Sequence, residues 1–296
     1  MKRRILFAIN PVAGTRRKHR IPDKINRFLD TSRYEYEIIY TQGRGHATEI
    51  AAQAASDGYD ALAIAGGDGS VNEAAQGLLG TETALAILPF GSGNGLARHL
   101  GYSSWVKSTL DVINSFHESR VDVGKVNGKY FFSLVGIGFD AFVAKIFDRV
   151  KGRGFTTYAM ASAAGLMRFK DFEYKLETDT KMLEGKAFMI DIFNANQYGY
   201  NVKGAPDASV LDGQFHVVLV ESYPRWRAPR LLYQLFTEQA AKSPYIRTFK
   251  ARKIHVHATD RAYLQVDGEA KGKARDFNIE LEPGALKMLV NPSAHL

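Results

Sequence analysis

Gly66-Gly67-Asp68-Gly69-Ser70-Val71-Asn72-Glu73 is the stretch on which the reading of this chain turns. The apolar run Ala61 to Ala65 precedes it and reads as a buried parallel strand. Ala74-Ala75-Gln76-Gly77-Leu78-Leu79 follows and reads as a helix opening. Three glycines at a strand-to-helix corner let backbone N–H groups approach a ligand with no Cβ in the way. The helix N-terminus behind them favours an anion such as phosphate. Asp68 stands in the middle of the turn. Phosphate repels a carboxylate, so Asp68 makes chemical sense as a holder of Mg²⁺, directly or through water, or as the acceptor of a hydroxyl proton. The alternative is a plain tight turn with Asp68 as a helix cap.

Working outward, strand Ile5 to Ile9 ends in Asn10-Pro11-Val12-Ala13-Gly14, where Pro11 stops the strand and Gly14 permits a turn. The basic run Arg16-Arg17-Lys18-His19-Arg20 follows, either a solvated face or a source of one phosphate contact. Pro22-Asp23 starts a helix with Ile25, Phe28 and Leu29 on its apolar side. Tyr34 to Tyr40 alternates like a strand and ends at Thr41, and His46 to Ser56 is helical with His46 as a cap or surface group. Ala84 to Leu88 is another buried strand. It runs into Pro89-Phe90-Gly91-Ser92-Gly93-Asn94-Gly95 and the helix Leu96 to Leu100. This second glycine corner lacks the spacing of a dinucleotide fingerprint, and no glycine loop continues as a Walker A sequence. The strand–helix alternation predicts an open parallel sheet, whose ligands bind at the carboxyl ends of strands. Asn10, Thr41, Asp68 and Ser92 all stand at such ends.

From Arg120 the pattern changes to short strands between turn signals, as in a β-sandwich. Asn127-Gly128 marks a hairpin ahead of a strand over Tyr130 to Val135. Further strands are expected at Phe172 to Thr178, Ala187 to Asn194, Phe215 to Val220, Lys253 to His257 and Tyr263 to Val266. Asp140, near the change of domain, is an acid for substrate or a structural cap. The helical stretch Phe155 to Phe169, with Tyr158, Met160, Leu166 and Met167, reads as core before lipid pocket. Arg225 to Ala241 reads as an amphipathic helix whose entry, Arg225, Trp226, Arg227 and Arg230, also suits an anionic bilayer surface. His255 and His257 share one side of a strand without an evident third metal ligand. The polar tail Asn291-Pro292-Ser293 is expected to fray near its end.

The 296 residues carry a net charge of +8 and no cysteine. Disulfides, thiolate catalysis and thiolate metal sites are thereby excluded, and anionic partners are favoured. The basic then apolar start runs into Pro11 rather than a cleavage site, so it reads as a strand and not a signal peptide. No apolar run approaches the length of a membrane span. A cytoplasmic protein with peripheral membrane contact is expected.

Taken together, these motifs resemble the diacylglycerol kinase and sphingosine kinase superfamily of lipid kinases. The likeness rests on Gly66 to Glu73, on Pro89 to Ala97, and on Asn10-Pro11 with Gly14. It continues through Val121 to Lys125, Gly136 to Ala141, Pro206-Asp207-Ala208, Leu211-Asp212-Gly213 and Val266-Asp267-Gly268-Glu269, almost the whole chain in order. Gly-Gly-Asp-Gly alone also occurs in phosphofructokinases and NAD kinases, which leaves an NAD kinase-like enzyme as an alternative. A catalytically silent nucleotide- or membrane-binding protein is a second alternative.

The resemblance implies an α/β plus all-β chain. A phosphofructokinase-like doubly wound nucleotide-binding domain would span 1–121 and a β-sandwich 122–284, with 285–296 returning to the first domain. It implies ATP and Mg²⁺ as cofactors and a membrane lipid as acceptor; contact with an anionic membrane surface is expected from the +8 charge, and the partner expectations add room for a homodimer and no nucleic acid. Nucleotide contacts are implied for Asn10, Pro11, Gly14, Thr41, Gly66, Gly67, Asp68, Gly69, Ser70, Asn72, Glu73, Gly91, Ser92, Gly93 and Asn94. Asp68 belongs to the matched catalytic turn, and Glu269 falls where bacterial members place their general base. Both would serve one active site. Asp212, with the backbone carbonyls of Ser209 and Gln214, falls on a metal site of bacterial members, and Asp68 on the nucleotide metal. Two departures stand out. Asn94-Gly95 replaces the Asn-Asp frequent in bacterial diacylglycerol kinases and resembles the long-chain-base and ceramide kinase branch. Ala13 replaces a common serine.

Overall fold

Strand β1 (Arg3–Ile9) buries all five residues from Ile5 to Ile9, because a strand covered on both faces is a continuous apolar run rather than an alternation. The computed structural model describes residues 2–14, 20–149, 155–199, 202–237, 239 and 242–294. Arg16 to His19 of the basic run and Ala241 of the second amphipathic stretch lie outside the described residues. Helix α1 (Ile21–Phe28) starts on Pro22 and buries Ile21 and Ile25. Strand β2 (Tyr34–Tyr40), helix α2 (His46–Ser56), strand β3 (Ala61–Gly66), helix α3 (Asp68–Leu78), strand β4 (Ala84–Pro89), helix α4 (Gly95–His99) and helix α5 (Val106–Ser115) complete the α/β part. β1 runs parallel to both β2 and β3, and β3 parallel to β4. β3 and β4 are buried along their whole length, whereas β2, at the edge, alternates. Gly77 sits 2.4 Å (measured from a would-be Cβ) from the Thr48 carbonyl, so α2 and α3 pack backbone to backbone.

The chain divides into two compact units, 1–121 with 283–296, and 122–282. In the first, Met288 pairs parallel with Leu85, which adds the end of the chain to the sheet beside β4. The tail is tied down at Asn291, and residues 295–296 lie outside the described residues. The Asn291 N–H donates to the Leu100 carbonyl (3.2 Å), and its Nδ2 donates to the Gly101 carbonyl (3.1 Å). Tyr102 OH donates to the Leu289 carbonyl (2.7 Å) in the same region. A polar tail ties down when its side chains and backbone find buried partners, which composition alone does not disclose.

The second unit is built from the end of β5 (Glu118–Val126), β6 (Lys129–Phe131), β7 (Leu134–Gly138), α6 (Phe139–Arg149), α7 (Phe155–Leu166), β8 (Phe172–Thr178), β9 (Met182–Phe193), β10 (Gln197–Gly199), β11 (Val202–Lys203), β12 (Phe215–Glu221), α8 (Ala228–Phe236), β13 (Ile246–Ala251), β14 (Lys253–Val266) and the first part of β15 (Glu269–Leu289). The two strands expected over Lys253 to Val266 are one long strand, and the strand expected over Tyr130 to Val135 is two. β9 pairs with β8 through one part and with β7 through another; β14 does the same. These two long strands therefore close the antiparallel layers round one apolar core that includes Phe131, Phe193, Phe215 and Phe277. Asn127 and Gly128 both have positive φ (47° and 80°), the turn that a two-residue hairpin requires.

Two helical expectations need correction. Met160 and Met167 are 73% and 78% exposed, so they are not core; Ala161 and Phe169 turn inward instead. Apolar residue types all round a helix hide which side is covered. Tyr158 has no described side chain. The stretch from Arg225 opens as a 3-10 turn, Arg225–Arg227, before α8. Arg225 is not a surface cation: it pairs with Asp171, donates to the Phe169 carbonyl and covers the Phe188 ring.

Candidate active site

The first unit brings its strand ends to one level. The ladder runs one residue beyond each strand, through Phe90 N to the Gly66 carbonyl (2.8 Å), Asn10 N to the Ala65 carbonyl (2.9 Å) and Thr41 N to the Ile9 carbonyl (2.9 Å). The four chain segments then leave the sheet side by side, and three of them lock together. Asn10 Nδ2 donates to Ser70 Oγ (2.8 Å), while Asn10 Oδ1 accepts the Val12 N–H (3.0 Å). Gly14 has φ +63°, and a Cβ there would stand 1.9 Å from the Phe90 carbonyl oxygen. A Cβ on Gly91 would stand 2.7 Å from the Gly67 Cα, so the two glycine corners touch through bare backbone.

Asp68 is the clasp. It is the first residue of α3, yet it caps the neighbouring corner: its Oδ2 accepts the Asn94 N–H (2.9 Å) and its Oδ1 the Gly95 N–H (3.0 Å). The capping alternative is thus realised, at α4 rather than at Asp68's own helix. Burial pushes the Asp68 carboxyl up; the N–H groups of Asn94 and Gly95 and the charge of Arg98 oppose this, and the net direction is upward. Arg98 Nε donates to the Gly93 carbonyl (3.2 Å), which fixes its guanidinium near the site. Asn94 takes the left-handed conformation (φ 52°) and donates Nδ2 to the Gly91 carbonyl (2.7 Å). Gly95 contributes its N–H and no second carboxylate, so the departure at this position removes a like charge from beside Asp68. A carboxylate has about four lone-pair sites. Two N–H groups leave Asp68 capacity for one metal-bound water, the contact through which it would serve Mg²⁺.

Other expected residues fall as follows. Pro11, Gly69 and Ser92 are exposed and Thr41 is buried. Asn72 accepts from Gln76 Nε2 (2.6 Å), and the Glu73 carbonyl accepts the Thr48 hydroxyl (2.9 Å). Glu73 therefore secures α3 to α2. His46 Nδ1 accepts the Gln42 N–H (2.9 Å), a loop cap.

In the second unit Asp267 and Gly268 (φ 47° and 83°) form the two-residue turn between β14 and β15, with Val266 opposite Glu269. The Asp267 carboxylate accepts the N–H groups of Phe132 (3.0 Å), Ser133 (2.8 Å) and Leu134 (3.1 Å). Glu269 is the outward member: its side chain is 46% exposed and its Oε2 accepts from Lys271 Nζ (2.7 Å). Sequence reasoning missed Asp267, although an acid in an Asp-Gly turn is the available signal.

Nearby, Asp140 Oδ2 accepts from Gln265 Nε2 (2.7 Å) and Tyr198 OH donates to Asp191 Oδ2 (2.6 Å). Burial, then the charge of Asp140, push the wholly buried Asp191 carboxyl well up, against the Tyr198 hydrogen bond. Asp212 is engaged by His216 Nε2 (2.9 Å) and Lys250 Nζ (3.1 Å). Burial alone would raise its carboxyl; the His216 and Lys250 hydrogen bonds outweigh this and hold it below the usual range. His255 and His257 share Asp276 (3.4 and 2.7 Å).

Residues 4–126 match the diacylglycerol kinase catalytic domain, and residues 133–290 match the YegS C-terminal NAD kinase beta sandwich-like domain. The chain belongs to the diacylglycerol kinase family of lipid kinases. A Staphylococcus saprophyticus protein named diacylglycerol kinase is 30% identical over 278 residues, 92% of this chain and 91% of its own. One from Staphylococcus aureus is 29% identical over 287 residues, 95% of this chain and 91% of its own. Among solved structures, a candidate diacylglycerol kinase from Bacillus anthracis superposes with TM-score 0.83 at 25% identity, covering 98% of both chains. A second, from the same organism, gives 0.81 at 26% identity, again over 98% of both chains. This family member therefore has an N-terminal α/β domain and a β-rich C-terminal domain, as the motifs implied. No described helix is long and apolar enough to cross a membrane.

Proposed function

We propose that this kinase transfers the γ-phosphoryl group of ATP to the hydroxyl of a membrane lipid of diacylglycerol or long-chain-base type. The observation that carries the proposal is the clasp of Asp68 on Asn94 and Gly95. It presents two glycine corners, with Asn10 and Thr41, at the carboxyl edge of a parallel sheet, where α/β folds bind nucleotides. Backbone N–H groups of Gly66 to Ser70 and Gly91 to Gly93 cradle the phosphates; Asn10 and Thr41 complete the cradle. Mg²⁺, when bound, spreads the charge of the transferring group. Asp68 would hold the metal through its water shell, and Glu269 takes the proton from the attacking hydroxyl. Asp68 is the alternative base. The reading requires Glu269 to reach the acceptor while Asp68 serves the γ-phosphate.

Access to the lipid is peripheral in this reading, from the cytoplasmic face of an anionic bilayer. It is supported by the +8 charge and by the exposed Met160, Met167 and Trp226 of the second unit. Such a kinase can act as monomer or homodimer. ATP consumption measured with a panel of diacylglycerol, sphingoid bases, ceramide and NAD tests the reading. Phosphorylation of a lipid is the expected result. Turnover on NAD alone would move the chain to the nucleotide kinases, and none on any acceptor would make it a silent binding protein.

A further inference from the structure

The loop 209–214 of the second unit is where the family resemblance implies a metal, held by Asp212 and the carbonyls of Ser209 and Gln214. A hard divalent cation takes about six to eight oxygen ligands and needs its carboxylate clear of other cations. Asp212 is not clear. Its Oδ2 already has Lys250 Nζ at 3.1 Å and His216 Nε2 at 2.9 Å, and its Oδ1 accepts the Gln214 N–H at 3.1 Å. Arg252 lies along the same loop, with Nη2 3.6 Å from where a Cβ on Gly213 would stand. A divalent ion on this carboxylate would meet like charge at contact distance. The donor set does not fit a metal.

The arrangement is fixed by backbone pairing rather than by a wandering lysine. β12 and β13 run antiparallel with His216 directly opposite Lys250, so both side chains leave one face of the ladder. Asp212 is brought across them by a pinned loop. The Gly213 N–H bonds Asp122 Oδ2 (2.8 Å) and the Asp122 N–H bonds the Val210 carbonyl (2.7 Å).

We propose that Lys250, with His216 beside it, is the resident cation of this loop, a half-exposed ammonium of the chain's own in the position the family resemblance gives to a divalent metal. It offsets the Asp212 charge and holds loop 209–214 against β12. Loop order is then independent of Mg²⁺ and Ca²⁺. This inference does not rest on the kinase reading and is tested without nucleotide or lipid.

The test is thermal unfolding of the full chain in EDTA and in excess Ca²⁺ or Mg²⁺. The wild-type Tm is expected to be the same in all three. K250M should unfold roughly 2–4 °C lower in EDTA, recover in Ca²⁺, and lose that recovery when D212N is added. K250R keeps the charge and should unfold with the wild type. A wild-type Tm that rises with Ca²⁺, in a manner D212N abolishes, would overturn the inference. So would a K250M that matches the wild type in EDTA, or one that Ca²⁺ does not rescue. If K250M does not purify folded, the wild-type and D212N titrations decide alone.

Discussion

The Gly66–Asp68 corner and the Asp267–Glu269 hairpin each carry an acid beside glycine, and they use it in opposite ways. At the Gly66–Asp68 corner the carboxylate expected to do chemistry is also the one that holds the architecture, through the Asn94 and Gly95 N–H groups. In the Asp267–Glu269 hairpin the two tasks are divided. Asp267 holds three backbone N–H groups, and Glu269, one residue past the glycine, stands half-exposed against Lys271. The difference teaches that a carboxylate in a glycine turn is not by itself catalytic or structural. Its role depends on whether backbone donors converge on it.

The largest expected effect comes from breaking the corner where the tasks coincide. Asp68→Ala should lower phosphoryl transfer by at least about a hundredfold, the low end for a lost charge-stabilising or acid–base group. Asp68→Asn is nearly isosteric but offers one acceptor oxygen to two N–H donors. It should therefore also lose about 1–3 kcal/mol of stability. Steady-state rates and urea midpoints on the same preparations check both; a fully active Asp68→Ala would remove Asp68 from the site.

In the hairpin the same two losses should come apart. Asp267→Ala strands the N–H groups of Phe132, Ser133 and Leu134, at a cost of about 3 kcal/mol, while activity per folded molecule persists. Glu269→Gln should do the reverse: transfer to lipid falls about a hundredfold, with ATP affinity and Tm nearly unchanged. Saturating-ATP kinetics and denaturation of the pair read this directly, and full activity of Glu269→Gln leaves Asp68 as the base. If Asp68 and Glu269 act in one reaction as proposed, Asp68→Asn with Glu269→Gln should be scarcely slower than the poorer single variant, because members of one catalytic unit are not additive; additive losses would break the proposal.

The smallest effect concerns Asp191, an acid that no backbone donor among the described residues holds. Its folded proton affinity is raised by burial and by Asp140. The stability this brings is full below the unfolded carboxylate range and is lost as pH rises through the folded value. Asp191→Asn keeps an oxygen for Tyr198 OH and does not titrate. Its urea midpoint should stay level over that window and exceed the wild type at the alkaline end. Parallel pH curves would show that Asp191 is ionised in the folded protein.

The sequence by itself determined the strands of the first unit, since Ile5 to Ile9, Ala61 to Ala65 and Ala84 to Leu88 are apolar on both faces and only a covered parallel strand accommodates that. It also determined the two glycine corners and the Asn127-Gly128 hairpin, because positive φ and bare backbone contact select Gly, Asn and Asp locally. Tertiary structure decided what those residues hold. That Asp68 clasps a corner 26 positions away, that Asp267 rather than Glu269 meets converging N–H groups, and that Met160 faces out while Arg225 turns in are consequences of long-range packing. So is the meeting of Lys250 with Asp212, 38 positions apart. Local pattern carries the dihedral and burial preferences of a residue. It does not carry the register between distant strands, and that register places one charge against another.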